Sequence, residues 1–290
     1  RYAVLVLLIG LAIAALAGLQ LDRSNRQERQ ARFQALSHRV AGELKTRIGI
    51  YETGLRGARG AVIAAGGESV TRERFREYSQ SRDYKREFPG VRGYGYIHHV
   101  RRADESAFLE IARRDGTPAF AIHQIAPHGN DRFVIRYIEP ENSNREAIGL
   151  DIASEANRRS AAIHAARSGM PTLTEPITLV QNASKPHHGF LLLLPIYRTG
   201  AATGTPEQRW QSTFGCSLAP ISIDEVLHDF DLAESDYSLA LWDSDATPSK
   251  VPFYVTRDYQ QPPASGLTDL QPITAYGQRW ELGIKARPSF

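Results

Sequence analysis

The chain has a single cysteine, Cys216, among 290 residues. No intrachain disulfide and no cysteine-based zinc site can therefore form. Strong charge of one sign is also lacking, since 35 Lys and Arg face 32 Asp and Glu for a net charge of +3. The arginines are dispersed among acids and are not gathered into basic stripes interleaved with aromatics, so nucleic acid is not an expected partner. Catalytic signatures are missing as well: there is no Gly-x-Ser-x-Gly elbow, His-Glu-x-x-His pair, phosphate-binding glycine loop or dinucleotide fingerprint. An enzyme reading has no support, no catalytic set is expected, and no cofactor is implied. His98-His99 and His187-His188 are the only paired histidines. Adjacent strand residues point to opposite faces, so each pair offers at most one ligand to a given site, and no metal is expected.

Long proline-free and charge-free stretches are what the chain does have. Tyr2 to Leu19 carries no charge, and 18 helical residues at ~1.5 Å each reach ~27 Å, enough to span a bilayer. Ala15-Leu16-Ala17 has the form of a signal-peptidase site, but the run is longer than an ordinary signal core, which favours a retained anchor. Arg23, Arg26, Arg29 and Arg32 follow it and, taken alone, argue that the downstream side is cytoplasmic.

From Asp22 to Ala65 there is no proline, and Phe33, Leu36, Val40, Leu44, Ile48, Tyr51, Leu55, Ala58 and Val62 recur in steps of three or four. That predicts one helix of ~66 Å, with an Arg- and Glu-rich opposite face, acting as a stalk or as a dimer seam. Gly66-Gly67 ends it.

Thr71 starts a second helix, and strand patterns follow at Val91–Val100, Phe120–Ile125 and Phe133–Ile138. Helices are expected at Asp104–Arg114 and Ser154–Ser168, and Leu173–Val180 with Phe190–Tyr197 reads as a long hairpin. Residues 198–208 carry Thr199-Gly200, Thr203-Gly204 and Pro206, a linker signal, after which a strand-rich unit restarts at Trp210. The expected order is a membrane anchor over 1–21, a stalk helix over 22–67, one α+β sheet domain over 68–200 and a smaller one over 201–290.

Asp151 stands between Leu150 and Ile152 just ahead of a predicted helix. A carboxylate among apolar strands is costly unless it is exposed or paired. It either caps the following helix, whose dipole favours negative charge, or projects into a pocket and accepts hydrogen bonds from a planar, NH-bearing ligand. The residues alone leave both readings open.

Gly149-Leu150-Asp151, Ala165-Ala166-Arg167-Ser168-Gly169, Leu173-Thr174-Glu175-Pro176, His187-His188-Gly189 with its aliphatic run, and Pro195-Ile196-Tyr197 together resemble the CHASE domain. This is the extracytoplasmic sensor of plant cytokinin receptors and of many bacterial histidine kinases and diguanylate cyclases. The resemblance implies a stalk helix carrying two PAS-like antiparallel-sheet domains in tandem, in an α+β fold, with a small ligand enclosed by the membrane-distal one. It implies that Asp151 hydrogen-bonds an adenine-type ring and that the backbone at Leu173, beside Thr174, faces that ring. Tyr94, Tyr96, Ile135, Tyr137, Phe190 and Leu192 are the candidate pocket wall, chosen by strand alternation. Gln181 to Pro186 is longer and more polar than in the plant pattern, where it would read the ligand's tail. The expected whole is a receptor in a bacterial inner membrane, with residues after about 22 in the periplasm. It would dimerise through the stalk, bind a cytokinin-like N6-substituted adenine, and feed a histidine kinase or, alternatively, a cyclic-dinucleotide enzyme through a second span beyond Phe290. The competing reading is a structural dimerisation module with an unrelated or vestigial pocket.

Overall fold

The computed structural model describes residues 2–179, 188–230, 235–244, 251–263 and 266–290. Helix α1 (Tyr2–Ala64) is a single helix of 63 residues, so anchor and stalk are one element. Leu7, Leu8, Ile9, Leu11, Ile13, Leu16, Leu19 and Leu21 are each more than half exposed. An all-apolar helix on which none of the described residues packs is what a bilayer covers, and this segment is a candidate membrane anchor by length and composition. From Phe33 onward the stripe turns inward, and Phe33, Val40, Leu44, Ile48, Tyr51, Leu55, Ala58 and Val62 are at most 3% exposed. Gly66 and Gly67, both at positive φ, end the helix as the sequence predicts.

Thr71 caps α2 (Arg72–Gln80), its Oγ1 accepting from Arg74 N–H, and α3 (Tyr84–Glu87) leads into β1 (Tyr94–Val100). Then come α4 (Glu105–Arg114), β2 (Arg132–Glu139), α5 (Glu141–Asn144), α6 (Ala156–Ser168), β3 (Thr172–Leu173), β4 (Ile177–Thr178), β5 (His188–Tyr197), α7 (Pro206–Ser212) and β6 (Thr213–Ser222). These strands form one antiparallel sheet in the order β2-β1-β6-β5-β3, with β4 also on β5. After α8 (Ile223–Val226), a second antiparallel sheet is built from β7 (Tyr237–Asp243), β8 (Tyr254–Val255), β9 (Thr268–Ala275) and β10 (Gln278–Ala286), in the order β8-β7-β10-β9. This is the α+β architecture of a long helix followed by two sheets.

Three sequence expectations need correction. The boundary at 200/201 falls inside the first sheet, because β6 lies in its centre between β1 and β5. All ten residues of β6 are buried, the pattern of a strand covered on both faces; the Gly-, Thr- and Pro-rich segment before it is only the β5–β6 connection, tied down by α7. The strand expected at Phe120–Ile125 does not form, and His123 makes an isolated bridge to Leu150. Pro118 and Pro127 flank it and Ile125 is half exposed, so too little apolar surface is gained for a sheet strand. Finally, the stripe from Phe33 to Tyr51 is not free to be a dimer seam. It packs against its own chain, sharing a core with Leu239, Leu241, Leu282 and Ile284 of the second sheet.

Helix α1 therefore underlies both sheets. On sheet one it covers the face that carries Tyr94, Phe190, Leu192 and Leu194. The opposite face presents Ile97, Phe133, Ile135, Leu191, Leu193, Cys216 and Leu218 to Ala161, Ala162 and Ala165 of α6. A β-bulge places Arg136 between the pairs Tyr96↔Tyr137 and Ile97↔Ile135, so that alternation along β2 breaks there.

Candidate functional site

Gly149 starts the site. It has φ +86°, and a Cβ added there would stand 2.2 Å from the Ala121 carbonyl oxygen. Without a side chain, the segment Gly149–Asp151 slots between two others. Gly149 N–H donates to Ile135 O and Ile135 N–H to Leu150 O on one side, while His123 N–H donates to Gly149 O and Asp151 N–H to His123 O on the other.

That placement buries Asp151 completely. Its Oδ1 accepts from Phe133 N–H and from Ala153 N–H, each at 3.0 Å. Its Oδ2 accepts from His128 Nε2 at 2.7 Å and from Arg132 Nη1 at 3.0 Å. Because a carboxylate only accepts, the proton in the His128 contact sits on Nε2. Arg132 also donates to Glu105, from Nε to Oε2 at 2.6 Å and from Nη2 to Oε1 at 3.3 Å. The Arg132 guanidinium, through these bonds, holds the Glu105 carboxyl below the usual carboxylate range. The result is a chain of partners from α4 through β2 to the 3-10 turn Ile152–Ser154, which Asp151 caps. The capping alternative thus describes its local geometry. Helix α6 has its own cap, Glu155, which accepts from Asn157 and Arg158 N–H.

The other expected site residues are not gathered around Asp151. Leu173 is buried, and its backbone faces the second sheet: its N–H donates to Tyr276 O at 3.0 Å and its carbonyl accepts from Gln278 Nε2 at 2.9 Å. Thr174 closes on β5, accepting from Leu191 N–H through Oγ1 and donating its own N–H to Leu191 O. Tyr94, Phe190 and Leu192 lie on the α1 side, where Tyr94 Oη donates to Tyr51 O and Phe190 packs 4.8 Å from Trp280. Tyr96 and Tyr137 join Val62, Phe75 and Phe214 in a separate cluster. Ile135 alone shares the α6 face with Leu150 and Ile152. The expected wall is therefore split between two faces, because the Arg136 bulge puts Ile135 and Tyr137 on opposite sides of β2. Gln181 to Pro186 and His187 lie outside the described residues.

Arg132, His128 and Glu105 escape a sequence reading. They stand 19, 23 and 46 positions from Asp151 on different elements, and no periodicity links them. Cys216 offers no nucleophile, being fully buried with its thiol pushed up to about 12 by that burial. Among the described residues no group of three or more His, Cys, Asp or Glu is arranged to hold a metal ion.

Residues 68–254 match the CHASE domain family, and the chain belongs to it. Among curated proteins there is no match. Of solved structures, the periplasmic sensory domain of the Campylobacter jejuni chemoreceptor Tlp1 aligns with a TM-score of 0.50 at 8% identity, over 90% of this chain and 94% of that one. The ligand-binding domain of the Pseudomonas fluorescens chemoreceptor CtaA, in complex with L-serine, aligns with a TM-score of 0.51 at 13% identity, over 91% and 100%. At these identities the likeness is one of fold. The chain is an extracytoplasmic, non-catalytic sensor module whose apolar N-terminal helix is the candidate anchor.

Proposed function

We propose that this module binds a small molecule on the α6 side of sheet one, beside Asp151, and passes the event to α1. The observation that carries this reading is the position of α1: one helix packs under both sheets and continues into an uncovered apolar segment. A shift of either sheet is felt by the element that reaches the membrane. The receptor sits in a bacterial inner membrane with residues after about 22 in the periplasm. Its output domain is a two-component histidine kinase in preference to a cyclic-dinucleotide enzyme.

The ligand we assign is an adenine-type, cytokinin-like molecule. Support comes from Asp151 at the family's carboxylate position and from the apolar neighbours Ile135, Leu150 and Ile152 on the same face. His128 reaches Oδ2 from an irregular loop, so it is the donor that a ligand N–H can replace. Calorimetric titration with isopentenyladenine tests this. His128→Ala frees Oδ2 and is expected to bind more tightly than the wild type, whereas Asp151→Asn loses binding. Equal heats in the three proteins would overturn the assignment.

A further inference from the structure

A cavity of about 750 Å³ opens on the α1 side of sheet one, past the end of that helix, where the turn at Glu68-Ser69, α4, the end of β1 and Arg136 at the bulge of β2 meet. Its size lies within the ~300–1,000 Å³ of small-molecule sites, and it shares no lining residue with the Asp151 network. The apolar wall is Val100, Ala107, Phe108 and Ile111.

Arg136 lines the same cavity and is 3% exposed. Its one hydrogen bond among the described residues runs from Nη2 to Asp115 Oδ2 at 3.2 Å. Its guanidinium lies 5.0 Å over the Tyr137 ring, which fixes the plane of the fork. Its Nε is buried with no partner. Leaving a buried guanidinium donor unpaired is costly, and a planar fork with free N–H groups is the protein's best match to a carboxylate. Beside it the His98 ring packs against Phe108, tilted by 32° with centroids 5.1 Å apart, with Nδ1 held by Tyr96 Oη at 2.8 Å. The cations Arg101 and Arg198 stand at the rim with the acids Glu68 and Asp104, and Arg198 is already paired with Glu68. The buried end of the cavity therefore holds a guanidinium that, beside its pair with Asp115, keeps one donor, Nε, without a partner, and the opposite wall is apolar.

We propose that this cavity is a second ligand site that takes a small carboxylic acid with an apolar body, the carboxylate on Arg136 and His98 and the body along Phe108 and Ile111. The site exists because the bulge in β2 turns Arg136 to the same side as Tyr137. An occupant touches the turn that ends α1 and so gives the helix an input separate from the α6 side.

Calorimetric titration of the full chain with hexanoate and 3-phenylpropionate tests the proposal, with their amides and inorganic phosphate as controls. Both acids are expected to bind saturably and the amides and phosphate not at all. Arg136→Gln and Ile111→Glu are each expected to weaken the acids by about tenfold or more, the loss of a charge-assisted contact or the gain of a repulsive one. Ile111 is 54% exposed, so Ile111→Glu folds as the wild type does and keeps the test valid if Arg136→Gln does not. No saturable heat from either acid, equal binding of acid and amide, binding of phosphate alone, or acid binding unchanged in Ile111→Glu overturns the proposal. Isopentenyladenine titrated into the same Ile111→Glu protein reads the Asp151 side independently, so failure at one site is not mistaken for failure at the other.

Discussion

Asp151 is held by four donors from three separate segments, and removing it leaves the Phe133 N–H and Arg132 Nη1 without that acceptor, although Arg132 keeps its pair with Glu105. Leaving a buried donor without its acceptor costs ~1–3 kcal/mol. Asp151→Ala is therefore expected to lose stability in that range by urea denaturation, and a loss under about 1 kcal/mol would show the network to be slack. His98 gives a pH prediction. Burial first, then the nearby Arg136, lowers its pKa from 6.5 to about 3. The unfolded chain thus takes up the proton first, and the stability His98 contributes is present above pH 6.5 and drains away as pH falls toward 3. Urea midpoints measured at pH 7, 5 and 4 are expected to fall less in His98→Gln than in the wild type; parallel falls would contradict this. At this scale the sequence marks Asp151 as a charge in need of a partner. Its partners are illegible, since they come from loop and strand positions brought together only by the fold.

The long helix is the element most legible in the sequence, because a stripe of apolar residues with a 3.6-residue period survives over eight buried positions from Phe33 to Val62. Strands fare worse. One bulge residue, Arg136, reverses the facing of everything before it in β2, and nothing in its local composition announces this. The segment before β6 shows the same limit: glycine, threonine and proline mark a turn in the chain, not whether the next strand rejoins the same sheet. Gly54 on α1 tests the packing of helix on sheet. A Cβ there would come within 2.1 Å of Tyr94 Oη, so Gly54→Ala is expected to melt lower than the wild type. Overpacking costs ~1–3 kcal/mol against a helix-propensity gain of ~1 kcal/mol. A higher melting temperature would place Tyr94 elsewhere.

At the scale of the whole molecule, the two sheets communicate by two routes. One is the shared core on α1; the other is the direct contact of Leu173 with Tyr276 in the β9–β10 turn and with Gln278 at the start of β10. Leu173, expected to face the ligand, thus joins the ligand-bearing sheet to its neighbour. The two-sheet plan and the sensor class follow from the family, whereas the burial of the stalk stripe under its own sheets required the structure. The central claim is that a small molecule binds beside Asp151 and stabilises the module. A thermal-shift screen of the full chain with metabolites, including isopentenyladenine and the amino acids, tests it most directly. At about 100 times Kd, a ligand adds ~2.7 kcal/mol to the folded state. The account predicts at least one compound that raises the melting temperature of wild type and Ile111→Glu but not of Asp151→Asn. A screen in which no compound raises the wild type, or in which Asp151→Asn responds equally, would contradict it.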